Sequence, residues 1–283
     1  LQEQIETRLQ GIASIRAAGA TVITLMSSNS VEIPYWKHDD TNDPKQRKIG
    51  MLSGTWNNET GSPTEGNFKL ELLPVIANLY NTPKVPMSVS LVEDAANVVS
   101  ILMNDMAITK AMDEDYQFIR GDGVGKPEGI LPGGLNAHSL TVVNSQSATA
   151  FTTNGIKALK RGIAAQYRPG ASFHGNSLSW GEVEVLTVGG GNLAFAFPDL
   201  SEESILLGHR VYENEAFPDP ADNGFPLLYG QMPGYVIVDR LGMTVERFHD
   251  SGTGVNKVEF QGRVRVGGKI SKPYLFTVQK IAA

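Results

Sequence analysis

The sequence predicts an α+β protein, and three stretches carry that prediction. Residues 91–119 repeat apolar side chains every three or four positions, the period of one long helix. Near the other end, Val258, Phe260, Val264 and Val266 alternate with Glu259, Gln261, Arg263 and Arg265. A period of two with one charged face marks a half-buried antiparallel sheet. Directly after the helix comes Arg120-Gly121-Asp122-Gly123-Val124-Gly125-Lys126-Pro127-Glu128-Gly129. Glycines at alternate positions and a following Lys-Pro specify a sharp turn, not a flexible linker. Gly121, Asp122, Gly123, Gly125, Pro127 and Gly129 are its candidate structural residues, and their expected role is to lock the end of the helix.

The other elements follow in order. Residues 1–30 hold a short helical candidate, with Ile5, Leu9 and Ile12 on one side, and the β-branched stretch Thr21–Leu25. Val31–Trp36 reads as a strand. Residues 37–66 are dominated by Lys, Asp, Asn, Thr, Gly and Glu, with Ile49, Met51, Leu52 and Trp56 as apolar punctuation. A segment this polar builds no core of its own. It reads as the two arms of a hairpin that orders against a neighbour, or else as a solvated loop. Phe68–Val89 looks extended, broken at Pro74, Pro83 and Pro86.

Ser90 with Glu93 three residues on forms a capping box that predicts the start of the long helix. Val92, Ala95, Val99, Leu102, Met103 and Met106 form its apolar stripe. The predicted helix has about 28 residues, or roughly 42 Å at 1.5 Å per residue. A second helix is predicted over Thr153–Tyr167, stopped by Pro169-Gly170. Its basic side, Lys157, Lys160 and Arg161 with Arg168 at the end, reads as a solvated face. Contact with a neighbour's carboxylates or a phosphate backbone is the alternative. Residues 171–244 switch to short apolar runs, including Gly189-Gly190-Gly191 and Phe195-Ala196-Phe197-Pro198, and suggest an inserted α/β lobe. Short extended pieces are expected at 208–213, 225–230 and 235–238. Gly267-Gly268 reads as a turn, and Tyr274–Val278 as the start of a last strand.

Composition narrows the function. Charged residues are only 19% of the 283, below the roughly 25% usual for soluble domains. The net charge of -6 argues against a protein that coats nucleic acid, since dense phosphate contact needs an excess of Lys and Arg. With 0 cysteines there is neither disulfide nor thiolate chemistry. No run of 18 apolar residues suggests a membrane span. The chain opens at Leu1 without a signal-peptide core, as expected of a trimmed chain or of one that has lost an N-terminal piece.

No cofactor is expected. The glycine turn follows a helix and has GxGxG spacing, so it fits neither a dinucleotide fingerprint nor a Walker loop. His38, His138, His174, His209 and His249 lie far apart and read as surface or turn residues. Asp113-Glu114-Asp115 reads as a solvated face of the long helix. An enzyme would require a pocket where two distant histidines, or a histidine and a carboxylate, converge.

Several pieces in fixed order resemble one family. They are Val92-Glu93-Asp94-Ala95, then Gly121-Asp122-Gly123-Val124-Gly125 and Glu128-Gly129-Ile130-Leu131. Leu207-Gly208-His209-Arg210-Val211 follows, with Glu213, Glu215, Ala216 and Pro218 behind it. Tyr229-Gly230, Tyr235-Val236-Ile237-Val238-Asp239-Arg240 and Arg263-Val264-Arg265-Val266-Gly267-Gly268-Lys269 complete the set. Together they resemble the major capsid proteins of tailed double-stranded DNA bacteriophages, over most of the chain. Arg210 stands where that family commonly has proline, and Gly181-Glu182-Val183-Glu184-Val185 is a poor version of its axial helix.

The resemblance implies the tailed-phage major capsid fold. Its parts map to an N-terminal arm (1–30), an extended loop with flanking strands (31–72) and a peripheral domain with the spine helix 91–119 (73–170). An axial domain (171–244) and peripheral C-terminal strands (245–283) follow. It implies a non-enzymatic subunit that assembles with copies of itself into hexamers and pentamers of an icosahedral shell around phage DNA. The DNA would be contacted weakly and without sequence specificity. Portal, scaffold, maturation protease and decoration proteins are the implied partners, and the virion, assembled in the host cytoplasm, is the implied location. Removal of an N-terminal segment by the protease would account for Leu1. Ile49, Met51, Leu52 and Trp56 become candidate anchors of the loop on a neighbour. Some members weld subunits covalently. Here Lys37, Lys45 or Lys48 would supply the amine, Asn256 the acceptor and Glu259 the carboxylate, against the simpler reading of ordinary polar residues in a non-covalent shell. The rival functions are an encapsulin-like bacterial nanocompartment shell and an oligomeric binding or tail component.

Overall fold

Helix α1 is a single turn, Ser14–Ala17, followed by strand β1, Thr21–Leu25. Strands β2 (Ser30–Trp36) and β3 (Leu70–Ile76) pair as an antiparallel ribbon, and β4 (Asn78–Asn81) and β5 (Val85–Ser88) come next. Helices α2 (Val89–Asp94) and α3 (Val98–Arg120) precede β6 (Thr141–Asn144) and α4 (Thr153–Arg161). Then come β7 (Ser172–Gly175), α5 (Ser177–Glu184), β8 (Thr187–Val188) and β9 (Asn192–Leu193). Strands β10 (Ile205–Leu206), β11 (His209–Glu213) and β12 (Leu227–Gly230) lead to β13 (Tyr235–Phe248), β14 (Lys257–Ile270) and β15 (Phe276–Lys280). This computed structural model describes residues 14–36, 70–94, 97–131, 140–188, 192–193, 205–248 and 256–282.

The first sheet has the order β1-β13-β14-β4, with β5 pairing a separate stretch of β14. β1 runs parallel to β13, and the other pairings are antiparallel. β14 keeps the alternation read from the sequence: Val258, Phe260, Val264 and Val266 are buried, with half-buried polar residues between them. Tyr235 and Ile237 face α3 through Phe118 and Ile119, while Val236 and Val238 face Leu73 and Val75 of the ribbon. Burial on both faces explains why Tyr235–Val238 is an unbroken apolar run. The N-terminal half of α3 rests on Val258 and Phe260 through Met106, Leu102 and Val99, and α2 joins them through Val89 and Val92.

The second sheet has the order β10-β11-β7-β12-β15-β6. One face packs on Ile156 and Leu159 of α4 and Trp180 and Val183 of α5, through Phe173, Leu227 and Tyr229. From the other face Leu228, Phe276 and Val278 join the core around Phe118.

Several expectations are corrected. Gly267-Gly268 does not turn the chain but lies inside β14. A Cβ on Gly267 would stand 2.2 Å from the Ile76 carbonyl oxygen, and one on Gly268 2.2 Å from the Tyr235 hydroxyl, so glycine admits close neighbours on both faces. Pro74 does not break its strand, since β3 runs through it opposite Glu32. A two-stranded ribbon has free edges, and proline is tolerated there. Residues 14–25 are not part of a reaching arm: Ile15 is fully buried and β1 is paired along its length.

The long helix is likewise two helices. Glu93 and Asp94 lie in α2, ahead of α3, which begins behind Asn97. The predicted helix over Thr153–Tyr167 stops at Arg161, and Ala165–Tyr167 is a separate 3-10 turn. A Cβ at Gly162 would stand 2.6 Å from Thr277 Cγ2, so glycine lets the end of this helix approach β15 closely. That helix shares its core with residues 171–230, and the boundary at 244/245 cuts through β13. The two lobes are therefore interleaved along the chain.

Candidate functional site

The turn after α3 is built from the helix outward. Gly121 N–H donates to the Gln117 carbonyl at 2.8 Å, the last helical bond. The chain then reverses through left-handed backbone at Gly123 (φ 79) and Gly125 (φ 68). Val124 N–H donates to Asp122 Oδ1 at 2.9 Å, which holds that carboxyl below its usual range, with Lys126 adding to the effect. On return, Ile130 N–H donates to the Phe118 carbonyl at 2.9 Å and Leu131 N–H to that of Ile119 at 2.8 Å. Helix C-terminal carbonyls lack partners within the helix, and here the returning chain supplies them. Gly121 and Gly129 make this approach possible: a Cβ would lie 2.1 Å from the Pro127 carbonyl oxygen at one and 2.5 Å from the Gly121 nitrogen at the other.

The turn is also joined to the long sheet. Glu128 N–H donates to the Gly268 carbonyl at 2.8 Å, and the Tyr235 hydroxyl donates to the Glu128 carbonyl at 2.7 Å. The Lys269 ammonium stands 3.4 Å from Glu128 Oε2. Burial, and then the nearby Glu128 charge, raise the Tyr235 pKa well above that of free tyrosine, so this donor stays protonated.

A buried ion cluster ties α1 to the same body. Arg16 makes a bidentate contact with Asp239, at 2.7 and 2.8 Å, and reaches Glu114 at 3.2 Å. Lys110 meets Glu114 at 2.8 Å, one helical turn away. Burial opposes the Arg16 charge, but the bonds and fields of Asp239 and Glu114 outweigh it and hold its pKa above the ordinary arginine value. Glu114 and Asp115 are buried, which overturns the solvated-face reading of this acidic run. The signal was present: Met106, Lys110, Glu114 and Phe118 continue the buried stripe at four-residue spacing.

His174 also departs from expectation. It lies fully buried in β7, stacked 5.1 Å from the Tyr212 ring, with Nε2 2.8 Å from Ser172 Oγ. Burial pushes its pKa down to about 3. The contact is enclosed in the sheet, away from solvent.

The remaining predicted residues separate. Ser90 lies inside α2 and is not its cap. Ser88 takes that place, accepting from Leu91 N–H at 3.1 Å through its side chain, and Glu93 then falls too late to complete a box. Asn256 holds left-handed backbone at φ 65, and its carbonyl accepts from Val89 N–H at 3.0 Å. Glu259 stands 3.5 Å from Lys84. Ile49, Met51, Leu52, Trp56, Lys37, Lys45 and Lys48 lie outside the described residues, as do residues 1–13 and His38, His138 and His249. Among the described residues no group of three His, Asp or Glu is placed to hold a metal ion, and no helix is long and apolar enough to cross a membrane.

A sequence model of the phage capsid family matches residues 1–281. The chain belongs to the phage capsid family. Solved structures agree. The capsid of a native GTA particle, computed with C5 symmetry, superposes with a TM-score of 0.81 at 27% identity, covering 96% of this chain and 91% of that one. The empty GTA capsid gives 0.80 at 27% identity, with 96% and 90% covered. A Mycobacterium phage Cain chain gives 0.67 at 14% identity, with 96% and 91% covered, and so shares the fold. Among curated proteins no significant match is found. As a member of the capsid family the chain is a structural shell protein, and neither the nanocompartment nor the tail-component alternative is favoured.

Proposed function

We propose that this chain is the major subunit of a phage-type head, assembling as rings of six and five copies that close an icosahedral shell around double-stranded DNA. The family match over residues 1–281 carries the reading. The GTA capsid similar to it was computed with fivefold symmetry, which supports rings of five here.

Within this reading the long sheet with α3 forms the peripheral domain. The lobe on the second sheet, with α4 and α5, forms the axial domain. Residues 37–66 form the extended loop, departing from the β2–β3 ribbon and reaching a neighbouring copy, with Trp56 as an aromatic anchor. Portal, scaffold, maturation protease and decoration proteins are its further partners, and assembly takes place in the host cytoplasm. The net charge of -6 suits containment of DNA without extensive phosphate contact. The role is structural throughout, and the lock and the ion cluster serve it by making a rigid body on which outward-reaching segments are mounted.

Negative-stain imaging of the purified protein under assembly conditions tests this. Closed shells are expected, and rings or tubes alone would defeat the assignment.

A further inference from the structure

We propose that the groove between α4 and the turn after β6 binds phosphate, and that within the shell it takes the backbone of the enclosed DNA. The DNA assignment rests on the shell reading above and places a contact which that reading leaves unlocated.

The groove has a volume of about 420 Å³. Gln146, in left-handed backbone at φ 64, lines one bank, and Asn154, Lys157 and Arg161 line the other. These three follow at i, i+3 and i+7, so a single face of α4 carries them. The basic residues of this region divide by what they do for the fold. Lys160 Nζ donates to the Leu207 carbonyl at 2.7 Å, and Arg168 Nε to that of Ile163 at 2.9 Å. Among the described residues, Lys157 and Arg161 have neither hydrogen bond nor ion pair, and both are exposed.

No carboxylate lines the groove. Residues 129–181, which hold β6 and α4, contain no Asp or Glu at all, in a chain that has 30. Local charge decides here over net charge. At 0.1 M salt fields fade over about 10 Å, so an anion in the groove responds to Lys157 and Arg161 before the net charge of -6. Arginine's planar fork matches phosphate with two bonds, lysine adds a point charge, and the amides donate without charge. A carboxylate from a neighbouring protein fits less well. Protein contacts centre on apolar side chains, and the apolar lining here, Val143 and Ala158, is half-buried.

The salt dependence of DNA binding by the full chain tests this, read by anisotropy of a labelled duplex. Each neutralised phosphate contributes about 0.9 to the slope of log affinity against log salt. Lys157→Gln/Arg161→Gln is therefore expected to flatten that slope by about 1.8. Arg247→Gln/Lys257→Gln removes the same charge from exposed positions on the first sheet and should leave the slope unchanged. Both variants should melt as the parent does, since none of these side chains is buried. Inorganic phosphate alone separates the two sources, and no tight saturable binding of it is expected. A tight site for it, lost in the groove variant, would keep the chemistry and overturn the assignment to DNA. A parent that does not bind the duplex, an unchanged slope in the groove variant, or an equal loss in the control would overturn the proposal. So would loss of assembled particles with an unchanged slope, the mark of a carboxylate contact between copies. The titration is run on subunits, so a parent chain that forms no shells would sink the shell reading and leave the phosphate site standing.

Discussion

The Tyr235 hydroxyl donates to the Glu128 carbonyl at 2.7 Å, joining the start of β13 to the turn that closes α3. The Tyr235 ring meets Phe118 edge-on at 5.6 Å, so one side chain contacts both the helix and its lock. Tyr235→Phe keeps the ring and removes the bond. It should cost about 1 kcal/mol, read by denaturant unfolding of dissociated subunits. No change would mean that the lock is held by its backbone bonds alone.

The glycines of the turn should rank by cause. At Gly121 a Cβ would stand 2.1 Å from the Pro127 carbonyl oxygen, so Gly121→Ala must displace backbone. Its cost should reach about 3 kcal/mol, the upper end for overpacking. At Gly125 nothing lies within 4 Å, and only the left-handed backbone is at stake. Gly125→Ala should cost about 1 kcal/mol. Unfolding curves of the two variants, side by side, check the order.

Burial should separate the ion pairs. Arg16→Met leaves Glu114 and Asp239 without their shared guanidinium and should destabilise by about 3–5 kcal/mol. Lys126→Met breaks the exposed pair with Asp122 at 3.2 Å and should leave the unfolding temperature nearly unchanged. Equal effects on thermal unfolding would contradict the account of the cluster.

Acid should weaken the lobe built on the second sheet through His174. Its pKa is depressed from the ordinary 6.5 to about 3 by burial, so the folded state stays neutral while the unfolded chain takes up a proton. The stability due to neutral His174 is complete above pH 6.5 and is lost as pH falls towards 3. The slope is at most about 1.4 kcal/mol per pH unit. Unfolding free energies of parent and His174→Gln between pH 7 and 4 should converge as pH falls. Parallel profiles would remove the histidine from the acid response.

What was legible in the sequence was periodicity. The β14 alternation and the apolar stripe of α3 came directly from residue spacing, because each element buries one face. The lock could be read as a turn, since glycine and proline constrain backbone locally. What could not be read was set by partners far along the chain. Arg16 meets Glu114 and Asp239 across 98 and 223 residues, and no spacing rule reaches that far. Gly267 and Gly268 look like turn residues, and only the Ile76 carbonyl and the Tyr235 hydroxyl reveal them as points of close approach. The cap was misplaced by two residues because Ser88 and Ser90 are equal candidates until the start of α2 is fixed.

The central claim is that this chain is a shell subunit whose outlying segment is completed by a neighbour. Cryo-electron microscopy of assembled particles tests it most directly. The account predicts closed icosahedral shells in which residues 37–66 of each copy lie across an adjacent subunit. Solitary subunits under assembly conditions, with that segment folded onto its own body, would contradict it.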